Sequence, residues 1–145
     1  MLRILIADDE YLAIEAVKKI IKNNIEDVNI VATASSGKEA IIKVNELSPD
    51  IAIMDIQMPG IDGLEAIRQI KASNPNILFI VLTAYDLFDY AKESIGLGAV
   101  EYLLKPIKKD QLLMAIEKAS KIVKSKQIQN KWEYELKEKL TLVSP

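Results

Sequence analysis

The sequence contains neither cysteine nor histidine. Without cysteine it cannot hold a disulfide scaffold, a thiolate zinc site or a thiol nucleophile. Without histidine it cannot form a Ser-His-Asp triad, a histidine metal site or a phosphohistidine. Any chemistry therefore has to rest on carboxylates, lysines, hydroxyl groups or a hard metal ion.

Long hydrophobic runs are also missing. The longest uncharged stretch, residues 72–85, contains several polar residues and is shorter than the roughly 20 apolar residues that span a membrane. The apolar stretch at the N-terminus ends at Asp8, too early for the roughly 7–15-residue core of a signal peptide. We therefore expect a cytoplasmic protein without a membrane segment.

The chain has 145 residues, of which 50% are hydrophobic and 28% charged, as in one globular domain with a short appendage. Residues 1–104 hold 9 basic and 16 acidic side chains, a net charge of −7, whereas residues 105–145 hold 10 and 5, a net charge of +5. A basic segment can contact nucleic acid, but this one is more typical of a solvated helix face, and we favour that interpretation.

Five short apolar runs rich in β-branched residues alternate with helical patterns. Most are continuously apolar, as in strands that helices cover on both faces, so a parallel sheet is indicated. The predicted strands are Leu2–Ala7, Val28–Ala34, Ile51–Met54, Ile77–Leu82 and Glu101–Leu104. Right-handed crossovers wind this (βα)5 order into a doubly wound, three-layer α/β domain of about 120 residues.

Local signals mark the helix ends. Ser36-Gly37 and Asp62-Gly63 open the second and third helices, and Gly98 ends the fourth, which runs from about residue 87 to 97. The fifth begins near Lys109.

Helical character continues beyond Ser125 as an extension of the fifth helix. Apolar residues recur there at every fourth position, namely Ile128, Trp132, Leu136 and Leu140. Interrupting polar residues make a coiled coil only one option. The ring of Trp132 either folds back on the domain or makes an intermolecular contact.

Polar side chains follow four of the five predicted strands. Asp8 and Asp9 follow the first strand and Asp55 the third, while Thr83 and Lys105 stand at the ends of the fourth and fifth. In an open parallel sheet these ends share the edge at which ligands bind. Each residue alone has a structural explanation, such as a helix cap or a strand-end hydroxyl, but the set together favours function.

This set of residues suits phosphoryl transfer. Carboxylates about 4 Å apart repel by about 4 kcal/mol at an effective dielectric near 20, and a divalent cation relieves that repulsion. Ligation by oxygen alone suits Mg²⁺ or Mn²⁺. The Thr83 hydroxyl and Lys105 ammonium are groups that would bind phosphoryl oxygens beside the metal.

Over residues 1–124 the chain resembles the receiver domains of two-component response regulators. The resemblance rests on Asp8-Asp9, Asp55-Ile-Gln-Met58-Pro59-Gly60, Thr83-Ala84 and Lys105-Pro106. It implies a flavodoxin-like fold with sheet order 2-1-3-4-5, the order known for the chemotaxis receiver. It also implies a signalling domain that catalyses only its own phosphorylation and dephosphorylation.

The resemblance implies a role for each site residue. Asp55 would be the nucleophile that accepts a phosphoryl group from a sensor histidine kinase or a small phosphodonor. Asp8, Asp9, Asp55 and the backbone carbonyl of Gln57 would hold Mg²⁺. Lys105 would pair with a phosphoryl oxygen.

The resemblance also assigns Thr83 and Tyr102 as a switch pair, in which the hydroxyl moves to the phosphoryl group and the ring turns inward. We expect the adjoining face of the fourth helix, fifth strand and fifth helix to drive homodimerisation on phosphorylation. The remaining positions are Ala84, whose small side chain admits the phosphate, Pro106, which follows a cis bond, and Tyr85, which with Gln57 limits water access and implies slow self-hydrolysis.

One domain with a short appendage is expected: a receiver domain over residues 1–124 and a helical extension or linker over 125–145. Residues 85–92 and 102–107 resemble receivers that precede AraC-type helix-turn-helix modules. No such module fits in residues 125–145, so we expect either a stand-alone receiver or, preferably, part of a longer transcriptional regulator. DNA would then be contacted only through an output domain outside this sequence.

The sequence leaves two other functions open. A phosphohydrolase resembling the haloacid dehalogenase superfamily would use the same residue types. Members of that superfamily have a second Asp two residues after the nucleophile, however, and this sequence has Gln57 at that position. A receiver-like adaptor that is never phosphorylated would not need the complete acidic set with Thr83 and Lys105.

Overall fold

The structure, a computed structural model, describes residues 1–84 and 88–143. Within them five parallel strands form one sheet in the order β2-β1-β3-β4-β5. The strands are β1 (Leu2–Ala7), β2 (Val28–Ala34), β3 (Ile51–Asp55), β4 (Leu78–Thr83) and β5 (Ala99–Leu104). The predicted fold class and strand order are confirmed.

Helices follow the strands in strict alternation. They are α1 (Tyr11–Asn24), α2 (Gly37–Leu47), α3 (Gly63–Ser73), α4 (Phe88–Gly96) and α5 (Lys109–Val143). The Ser36 hydroxyl and the Asp62 carboxylate accept hydrogen bonds from backbone N–H groups three residues on, so both predicted N-caps are present. Gly98, with φ of +97°, follows α4, a backbone conformation that glycine adopts without strain.

Two apolar layers fill the space between sheet and helices. On one face, Val44 of α2 and Ile67 of α3 pack with Phe79 of the sheet. On the other face, Ile14 of α1 and Leu112 of α5 pack with the buried side chains of the sheet that point to that side. All five residues of β3 are buried, because this central strand is covered on both faces.

Helix α5 continues as a single helix well beyond the domain. It has 35 residues, and Val123 is its last buried residue. Among the described residues no helix is both long and apolar enough to cross a membrane.

Candidate functional site

The carboxyl edge of the sheet gathers three acidic side chains. Asp8 directly follows β1 and Asp55 ends β3, and these strands are paired, with Ala7 opposite Met54. The Asp8 and Asp55 side chains are 4% and 7% exposed, whereas Asp9 is exposed. One carboxylate oxygen from each of Asp8, Asp9 and Asp55 lies within 4.8 Å of the others, a separation that a single cation can bridge.

Lys105 connects two of these carboxylates. Its Nζ lies 2.7 Å from Asp8 Oδ2 and 2.9 Å from Asp55 Oδ2, with the lysine side chain 15% exposed. The end of β5 is fixed beside β4 because the Lys105 backbone N–H donates to the Thr83 carbonyl at 2.7 Å. The Lys105–Pro106 bond is cis, as the family resemblance predicts.

The second oxygen of each buried carboxylate is held by the local backbone. Asp8 Oδ1 accepts from the Glu10 N–H and Asp55 Oδ1 from the Gln57 N–H, both at 2.9 Å. Each carboxylate therefore accepts one hydrogen bond from a backbone N–H two residues on and one from Lys105. These two bonds fix the orientation of the carboxylate before any ligand binds.

Burial and neighbouring charges act in opposite directions on the pKa values of Asp55 and Lys105. Burial raises the pKa of Asp55, and neighbouring Asp8 adds to this, although the Gln57 N–H and Lys105 act against it. Burial alone would lower the pKa of Lys105, but its hydrogen bonds to Asp8 and Asp55 outweigh that effect and raise it. Lys105 is thus a permanent cation beside a carboxylate whose ionised form is disfavoured by burial.

Gly63, predicted only as the start of the third helix, supports the turn that follows Asp55. A Cβ at Gly63 would lie 2.4 Å from Ile56 Cα and 2.8 Å from the Asp55 carbonyl oxygen. The Gly63 N–H also donates to the Ile56 carbonyl at 2.9 Å. The first turn of α3 thus lies directly against the turn after β3, and a glycine eight residues after the acid was the signal in the sequence.

The other predicted residues lie around this centre. Thr83 is fully buried at the end of β4, next to Leu82, which pairs with Asp55. Tyr102 is half-buried on β5, and both it and Thr83 have interacting partners. Gln57 is exposed and lines a groove together with Asp9.

Two further predictions concern residues that follow Thr83. Ala84 is exposed, and its role in admitting the phosphate stays a prediction. Tyr85 lies outside the described residues, and its predicted role stays a prediction.

Comparison with protein families places the chain among known proteins. The model for "Response regulator receiver domain" matches residues 4–117. The uncharacterized transcriptional regulatory protein YesN of Bacillus subtilis is 36% identical over 140 residues, covering 97% of this chain but only 38% of YesN. The chemotaxis protein CheY of Listeria monocytogenes is 40% identical over 121 residues, covering 83% of this chain and all of CheY.

Solved structures share the architecture. The REC domain of AraT, a response regulator from Geobacillus stearothermophilus, has a TM-score of 0.75 and 33% identity, covering 89% of this chain and 98% of its own. A CheX–CheY–BeF₃–Mg²⁺ complex from Borrelia burgdorferi has a TM-score of 0.75 and 28% identity, with coverage of 79% and 86%.

Proposed function

The chain belongs to the response regulator receiver domain family, and from that premise we propose that Asp55 accepts a phosphoryl group in a metal-dependent reaction. One observation carries the proposal: Lys105 Nζ lies within 2.9 Å of both buried carboxylates, with a third carboxylate at the same edge. Such a cluster offers a nucleophile, metal ligands and a cation within one small volume.

The donor set fits Mg²⁺. Asp8, Asp9 and Asp55, with the Gln57 carbonyl, would hold the ion, and the cluster has no nitrogen or sulfur ligand that would favour a softer metal. The ion would supply positive charge against the phosphoryl oxygens. The name of the Borrelia CheY complex includes Mg²⁺ and BeF₃, which supports the same chemistry here.

Asp55 is the best placed acceptor. Its Oδ2 would form the new O–P bond, while the bond from phosphorus to the donor breaks and the leaving group keeps the electron pair. Lys105 is already within hydrogen-bonding distance of Oδ2. After transfer its ammonium group would pair with the negatively charged phosphoryl oxygens. Asp9 is less suited to this step because it is exposed and water would compete for its oxygens.

The signal would then pass to the α4–β5–α5 face. We infer that Thr83 and Tyr102 act as the switch pair and that phosphorylation favours a homodimer through this face. The curated relatives include transcriptional regulators of which this chain covers 38% and 55%. We therefore propose residues 1–124 as the receiver, 125–145 as the linker to an output domain, and a sensor histidine kinase as the phosphodonor.

The test is incubation with acetyl phosphate and Mg²⁺. A receiver is expected to gain one acyl phosphate per chain, labile to hydroxylamine and absent when EDTA is present. A phosphohydrolase would instead release phosphate from p-nitrophenyl phosphate over many turnovers. Continuous turnover, or failure to form the acyl phosphate, would contradict the proposal.

A further inference from the structure

We propose that the α5 extension, residues 125–143, is a docking surface for a second copy of this chain, independent of phosphorylation. Its apolar stripe consists of Ile128, Trp132, Leu136 and Leu140, which are 59%, 68%, 59% and 63% exposed. Four large apolar side chains on successive turns form a continuous patch rather than scattered surface residues. In proteins most helical stability comes from packing of an apolar face against another surface, so covering this stripe would stabilise the extension.

The chain's own domain does not cover the stripe. The side of α5 that packs on the sheet carries Leu112, Ile116 and Ala119. At about 100° per residue, that side continues through Lys126 and Asn130, which line a groove with the loops near residues 48–50 and 74–77. The domain-facing side therefore becomes polar where α5 leaves the sheet. Ile128 and Trp132 lie roughly opposite to that side, and the stripe then turns gradually around the helix through Leu136 to Leu140.

The stripe continues a surface already proposed for association. Met114, 70% exposed, and Lys118 border the groove between β5 and α5. By the same helical geometry these two residues lie on the side of α5 that carries Trp132. Association through the stripe and through the α4–β5–α5 face would therefore involve one side of one helix.

The chemistry of the extension favours an identical partner. It holds four lysines and three glutamates, so two copies repel little and the segment lacks the excess of basic charge expected for nucleic acid. A two-fold axis presents the same stripe from both copies, which makes the surface self-complementary. Apolar residues four apart form the ridge that packs against its own kind at a crossing angle of about 50°.

Trp132 reports on this association directly because it is the only tryptophan. The full chain, without phosphodonor and with EDTA, is followed by sedimentation velocity and fluorescence over a concentration series. We expect a monomer–dimer equilibrium, with Trp132 emission moving to shorter wavelength at the same midpoint. Asp55→Asn should associate like the wild type, so failure of the phosphorylation proposal would leave this result unaffected.

Two variants locate the contact. Leu136→Ser should weaken dimerisation by roughly tenfold or more, because most of the apolar area that Leu136 would bury in the dimer is lost. Tyr134→Ser is the matched control, since Tyr134 is 64% exposed but lies on the other side of the helix. Circular dichroism checks that both variants keep their helix.

Either of two results would overturn the proposal. The first is a chain that stays monomeric at all concentrations with solvent-exposed Trp132 emission, which would mean that another partner, such as a segment following residue 145, covers the stripe. The second is a dimer that Leu136→Ser leaves intact, which would mean that the copies meet elsewhere.

Discussion

At the scale of single residues, the site is a problem of charge balance. Two buried carboxylates, Asp8 and Asp55, share one ammonium from Lys105, so the centre keeps an excess of negative charge even before exposed Asp9 is counted. A bound cation would relieve that excess. The same imbalance makes the stability of the fold sensitive to changes in these few side chains.

Asp55→Asn is expected to stabilise the metal-free protein at neutral pH. Because burial raises the pKa of Asp55 above its usual value of 3.8, the folded state binds a proton there more tightly than the unfolded state does. This preference contributes stability below the unfolded pKa, and the contribution is lost as pH rises through the folded pKa. Urea unfolding in EDTA should therefore give a larger free energy of unfolding for the variant than for the wild type at pH 7, and this difference should shrink towards pH 4. A variant less stable than the wild type at pH 7 would contradict this.

Lys105→Met should be strongly destabilising. It leaves two buried carboxylates without their cation, a change that costs about 3–5 kcal/mol for buried pairs. Lys118→Met is the control, because the Lys118–Glu101 pair is surface-exposed and its loss is expected to cost below about 1 kcal/mol. If urea unfolding shows the same loss of unfolding free energy for both variants, the ion pairs of Lys105 contribute no more to stability than an exposed pair does.

At the scale of elements, apolar patterning predicted most strand and helix positions because the inner strands β3 and β4 are buried along their whole length. The predicted start of β5 was wrong, since the strand begins at Ala99 and not at Glu101. Ala99 pairs with Phe79 across a register shift, and small Ala99 gives no strong strand signal. Strands β3 and β4 each extend to the polar residue that follows the apolar run.

Gly63→Ala should disturb the element junction beneath Asp55. The added methyl would meet backbone at 2.4 Å, so α3 or the turn after β3 has to move, at roughly 1–3 kcal/mol or more. Gly96→Ala is the matched control, since a Cβ there meets nothing within 4 Å and alanine is the better helix former by about 1 kcal/mol. We expect a lower melting temperature for the first variant and an unchanged or higher one for the second.

At the scale of the whole molecule, the fold and the clustering of the acidic edge were predictable because parallel strands deliver their carboxyl ends to one place. The direction of the α5 extension was not, since the two alternatives for Trp132 differ only in tertiary contacts. The structure shows Trp132 68% exposed, so it does not fold back on the domain.

Mg²⁺ should stabilise the whole domain by mass action. A ligand that binds only the folded state adds about 2.7 kcal/mol at 100 times its dissociation constant. Asp9→Asn should reduce this gain while leaving stability in EDTA nearly unchanged, because Asp9 is exposed. Thermal unfolding with graded Mg²⁺ measures both, and an identical Mg²⁺ response in the variant would remove Asp9 from the proposed ligand set.

The most direct measurement of the central claim is intact mass after treatment with acetyl phosphate and Mg²⁺. Wild type and Asp110→Asn, which alters an exposed acid on α5, should both gain the mass of one HPO₃ group. Asp55→Asn should gain none. Equal phosphorylation of Asp55→Asn would contradict the assignment of Asp55 as the phosphoacceptor.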